Sequence, residues 1–87
     1  RDLIRAAVAH LAPGGTLVYA VCTVTRAEGP DQLAWILETF PRLRLAPPDA
    51  RVAPVLADLA PRGELVLWPH VHDTDGFYAA RLILAEA

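Results

Sequence analysis

The sequence predicts an α/β fold, a sheet covered by helices, and three stretches carry that expectation. RDLIRAAVAHL sets Leu3, Ile4, Ala7, Val8 and Leu11 at helical spacing. TLVYAVC is a short apolar run rich in β-branched and aromatic residues. From Glu28 to Phe40 the helical spacing returns through Leu33, Ile36, Leu37 and Phe40.

Each element has a start or stop written beside it. The first helix is alanine-rich and halts at APGG, because Pro13 and the two glycines after it cannot prolong it. TLVYAVC lies between Gly15 and the polar TVTRAEG, and its shortness and apolarity predict a strand buried on both faces with Cys22 at its carboxyl end. Pro30 and Asp31 suit the first turn of the second helix, and Pro41 ends it. Beyond it, LRLAP reads as a second short strand, PPDARVAPVLADLAPRG as a proline-studded connection, ELVLW as a third strand and GFYAARLIL as a fourth.

Composition narrows the function classes. With 87 residues there is room for one small domain, which buries about 60% of its unfolded surface and is marginally stable on its own. The chain does not begin with Met and is read as one layer of a larger protein. No apolar run reaches the roughly 18 residues of a membrane span, so a cytoplasmic setting is expected. The net charge is −2 and arginine is the strong cation, so no global basic field attracts phosphate; contact with nucleic acid has to be local. The single cysteine excludes an internal disulfide.

Two groups of residues are candidates for chemistry. In an open α/β sheet ligands gather beyond the carboxyl ends of the strands, which is where Cys22 falls, although free cysteine is more often a small buried hydrophobe. The second group is WPHVHDTDGFYAARL. His70 and His72 alternate as strand residues on one face do, and with Asp73 or Asp75 they could hold zinc, but the spacing matches no established ligand set. DTDG is equally a polar turn whose side chains bond their own backbone, with Gly76 relaxing the dihedral constraint.

Pro69 to Leu82 resembles the closing motif of the Sun/Fmu-type (RsmB-like) ribosomal RNA cytosine-5 methyltransferases, P-H-x-x-x-T-D-G-F-F-x-A-x-L. LAPGGTLVYAVCTVTRAEG is similar to that family's L-K-P-G-G-x-L-V-Y-S-T-C-S-x-x-x-E-E-N, with Pro13, Gly14, Gly15, Leu17, Val18, Tyr19, Cys22 and Glu28 in matching places. The two segments occur in the family's order and separation. Val21 and Thr23 stand where threonine and serine are usual beside the cysteine, and Gly29 where asparagine follows the glutamate.

The resemblance implies the rest. Residues 1–87 would be the C-terminal third of the catalytic domain of a Rossmann-like class I methyltransferase. Its sheet would be mixed, in the order five, seven, six with flanking helices, and strand seven (about Phe77 to Leu84) would lie antiparallel between the other two. Cys22 would be a nucleophile that adds to carbon 6 of cytosine, so that carbon 5 can take a methyl group from S-adenosylmethionine. Thr23, Thr74, Asp75, Gly76 and Phe77 would form the loop beside it, with His70 and His72 on the rim. RNA, expected to be 16S ribosomal RNA, would be the partner. The glycine-rich turn and the acidic ribose ligand that hold the cofactor have no counterpart in the chain, nor does the strand-four Pro-Cys segment, so the isolated chain is expected to be inactive and to expose a sheet edge through which it forms a homodimer. A non-catalytic RNA-binding module on the same fold is the alternative, and a metal-dependent hydrolase fragment a lesser one.

Overall fold

The computed structural model describes residues 1–22, 25–67 and 76–86. The element order is α1 (Asp2–Ala9), β1 (Thr16–Val21), α2 (Pro30–Thr39), β2 (Leu43–Leu45), α3 (Pro54–Leu59), β3 (Glu64–Leu67) and β4 (Phe77–Leu84). The three sequence cues thus become α1, β1 and α2, with Pro30 in the first turn of α2 and Asp31 placing a carboxylate near its positive end.

The last strand is the centre of the sheet. β1 pairs along its whole length with β4, from Thr16↔Ile83 to Val21↔Tyr78. The other edge of β4 is shared by two short strands set end to end, β2 against Leu82–Leu84 and β3 against Phe77–Ala80. Strand seven therefore lies antiparallel between its neighbours, as the resemblance implied. All pairings among the described residues are antiparallel, because β1, β2 and β3 share a direction and β4 alone runs against them.

The junction of β2 and β3 is held from β4. Arg81 donates its backbone N–H to Gly63 at 2.8 Å and accepts from Ala46 at 3.0 Å, so both short strands are tied to one residue. Its guanidinium also donates to the Pro47 carbonyl at 2.9 Å. Gly63 has φ +96°, and a Cβ there would stand 2.7 Å from the Ala46 carbonyl oxygen. Glycine is required at this point for both conformation and space.

One face of the sheet carries the core. β4 alternates strictly, with Tyr78, Ala80, Leu82 and Leu84 buried, and these side chains meet Leu33 and Ile36 of α2 and Leu43 of β2. Ile4 and Val8 of α1, with Leu17, Tyr19 and Val21 of β1, pack against this cluster partly buried. Complete burial of Leu82 and Ile36 contributes about 1.5–3 kcal/mol each before ordering costs.

The opposite face is thinly covered, and here a sequence expectation is corrected. β1 is not buried on both faces: Thr16, Val18 and Ala20 are exposed, Val18 to 61%. Its apolarity comes from residues that in this chain have helices against only one side. The stretch read as a proline-studded connection contains a helix, α3, which starts with Pro54 in its first turn. Pro at that place has no hydrogen bond to lose, so it can open a helix. Leu56 of α3 and Val18, Leu65 and Ala79 of the sheet line an apolar groove of about 230 Å³ on this face. No helix among the described residues is long and apolar enough to cross a membrane.

Candidate active site around Cys22

The pairing register brings the two conspicuous segments together. Val21 is opposite Tyr78, so Cys22 leaves β1 at the level where Gly76 and Phe77 lead into β4. Cys22 is exposed, and both Gly76 and Phe77 are half-buried. The burial expected of an ordinary structural cysteine is not what the fold provides. Thr23, Thr74, Asp75, His70 and His72 lie outside the described residues. Among the described residues no group of His, Cys, Asp and Glu is placed to hold a metal ion.

Cys22 lines a cavity of about 540 Å³ together with Arg1, Leu3, Ile4, Tyr19, Val21, Glu28 and Gln32. That volume is in the range of small-ligand sites. Its floor is β1, and its walls are the amino-terminal turns of α1 and α2. Val21, where the family has a hydroxyl residue, gives this cavity an apolar wall beside the thiol.

The segment that leads from Cys22 into α2 is pinned at several points. Gly29 N–H donates to the Thr25 carbonyl at 3.1 Å and Asp31 N–H to the Arg26 carbonyl at 2.9 Å. Tyr19 donates its hydroxyl to the Glu28 carbonyl, fastening the turn to β1. Burial and the nearby Glu28 carboxylate both raise the Tyr19 pKa, so at neutral pH this hydroxyl stays a donor. Gln32 Nε2 donates to the Ala27 carbonyl at 3.2 Å, while its Oε1 accepts from Arg1 Nε at 3.3 Å.

Gly29, the departure from asparagine, has a packing reason. It is buried, and a Cβ on it would lie 3.0 Å from Tyr78 Cγ and 3.2 Å from the Thr25 carbonyl oxygen. The Tyr78 ring fills the place a larger side chain would need, and its hydroxyl donates to the Glu64 carboxylate. The start of α2 is thus seated directly on the buried tyrosine of β4.

Residues that the sequence did not single out complete this cavity. Arg1 and Gln32 are polar residues at helix starts, where solvated side chains are ordinary, and only the fold brings them beside Cys22. Tyr19 belongs to PGGTLVY, and that pattern does not tell that it lines the cavity.

Residues 1–83 match the family model described as 16S rRNA methyltransferase RsmB/F. The chain is 39% identical over 83 residues to ribosomal RNA small subunit methyltransferase F of Cronobacter sakazakii, and 40% identical over 88 residues to that of Salmonella paratyphi A. A third relative of the same name, from Salmonella agona, is 37% identical over 83 residues. Each alignment covers 94% of this chain and 17% of the relative, so the chain spans about a sixth of the length of the proteins it matches. With nearly its whole length matched, the chain belongs to the RsmB/F family of 16S rRNA methyltransferases.

Proposed function

We propose that the chain is the cysteine-bearing part of an S-adenosylmethionine-dependent ribosomal RNA cytosine-5 methyltransferase, with Cys22 as its nucleophile. The observation that carries the reading is an exposed Cys22 at the carboxyl end of β1, on the wall of a cavity and at the level where the strand register brings the second family-like segment into β4.

The chemistry needs a thiolate near the edge of a cytosine ring. Carbon 5 is a poor nucleophile, and addition of the Cys22 Sγ to carbon 6 breaks the 5,6 double bond and moves electron density onto carbon 5. When carbon 5 has been methylated, loss of its proton to a base re-forms the double bond and expels the thiolate, so that hydrogen is replaced by methyl and the cysteine is regenerated. S-adenosylmethionine supplies an electrophilic methyl group to such a reaction. This chain does not fit it as a binding site: neither a glycine-rich turn at a strand end nor an acidic ribose ligand follows any of its strands, and the cavity beside Cys22 is built from helix starts and one strand. The chain's share of the work is to hold the thiol and the loop around it.

Tyr19 and Gln32 fasten the carbonyls of Glu28 and Ala27, which ties the start of α2 to the strand that ends at Cys22. The test is methyl transfer to 16S rRNA by the full-length enzyme that carries this segment. Cys22→Ala abolishes it on this reading, with thermal stability nearly unchanged because the side chain is exposed. A fully active Cys22→Ala enzyme places the nucleophile elsewhere.

A further inference from the structure

We infer that Arg1 is an RNA-binding residue of this site, contacting a phosphate of the strand whose cytosine meets Cys22. The inference rests on the reading of Cys22 given above.

The guanidinium of Arg1 is held in place without being used up. Its central carbon stands 4.7 Å from the centroid of the Trp35 ring, a cation–π distance, and Nε donates to Gln32 Oε1 at 3.3 Å. Trp35 is itself fixed edge-on to Phe40, with centroids 5.8 Å apart. Among the described residues neither terminal nitrogen of Arg1 has an acceptor or an ion-pair partner, and the residue is exposed at the rim of the Cys22 cavity. A planar fork with one edge anchored and the other open suits bidentate contact with a phosphate.

The neighbouring charges are consistent with a directed contact. Arg5 also approaches Trp35, at 5.2 Å, but it pairs with Asp2 at 3.4 Å and does not line the cavity. Arg26 pairs with Asp31 at 3.6 Å. Glu28 lines the cavity too and repels an anion from its side, which leaves the Arg1–Gln32 side as the place for a phosphate. In a chain with net charge −2, a local cation beside the thiol is the means of drawing in an RNA backbone.

The experiment measures KM for transcribed 16S rRNA at several salt concentrations in the full-length enzyme, alongside covalent trapping on RNA that carries 5-fluorocytosine. Arg1→Ala is expected to raise KM on the order of tenfold and to flatten the dependence of log KM on log salt by about 0.7, the share of one single-strand phosphate. Saturated kcat and trapping at Cys22 stay near wild type. Arg1→Lys keeps the salt slope, and Arg5→Ala changes neither quantity. If Arg1→Ala lowers the melting temperature, Arg1→Gln, which keeps a donor for Gln32, decides the matter by the same slope. An unchanged KM and slope, with the adduct still formed at Cys22, overturns the role of Arg1 alone. No adduct at Cys22 in wild-type enzyme overturns the Cys22 reading, and the Arg1 inference with it.

Discussion

The ring of Tyr78 closes on the backbone of Gly29, so that a Cβ at residue 29 would sit 3.0 Å from Tyr78 Cγ. The contact joins the first turn of α2, just after the Cys22 turn, to the central strand of the sheet. Gly29→Ala should therefore destabilise the protein by about 1–3 kcal/mol through overpacking. In a Tyr78→Leu background the same substitution should cost less, because the ring is gone. Urea denaturation of the four proteins of this cycle measures the coupling, and additive effects would show that the contact is not a constraint.

Tyr78 also predicts an alkaline limit. Burial, then the hydrogen bond to Glu64 and the charge of that carboxylate, push its pKa well above the ordinary tyrosine value. The folded protein keeps the proton where the unfolded chain releases it, so this stabilisation is complete below about pH 10 and is lost as pH rises further. Tyr78→Phe should cost about 1–2 kcal/mol at neutral pH, since Glu64 keeps Arg62 at 3.9 Å and some solvent, and it should flatten the decline above pH 10. Melting temperatures of both proteins between pH 7 and 11 test this; parallel curves would contradict it.

The two faces of the sheet should respond differently to substitution. Leu82→Ala, at a fully buried position, should cost about 2–5 kcal/mol, while Val18→Thr on the open face should stay within about 0.5 kcal/mol. Equal costs in chemical denaturation would mean that the open face is covered.

How far the sequence could be read depended on the range of the interaction. α1, β1 and α2 were legible because spacing, Pro30 and the APGG stop act within a few residues. The exposure of Thr16, Val18 and Ala20 is not legible, because apolarity along a strand cannot tell whether a helix lies over it. α3 is hidden in the sequence because proline ends helices as readily as it opens them, and here Pro54 opens one. At the site, Cys22 stood out through its motif, but Arg1 and Gln32 did not, since what gives them a role is a contact between residues 31 positions apart. Gly29 stands where asparagine is usual in the family, and only the fold shows why, with the Tyr78 ring against it.

β1 has no strand on its outer edge among the described residues, and Val18 is exposed beside it. The 87-residue chain should self-associate there, with Val18→Lys weakening the association. Sedimentation across a range of concentrations checks this, and a wild-type chain that stays monomeric throughout would contradict it.

The measurement that bears most directly on the central claim is covalent trapping at Cys22. Full-length enzyme carrying this segment is incubated with S-adenosylmethionine and 16S rRNA containing 5-fluorocytosine, whose carbon 5 has no proton to lose, so a thiolate that has added to carbon 6 cannot leave. After digestion, mass spectrometry should find the nucleotide on the peptide containing VYAVCT, and Cys22→Ala should form no adduct. An enzyme that methylates cytosine in unmodified RNA, yields no adduct at Cys22 and stays active as Cys22→Ala would contradict the account.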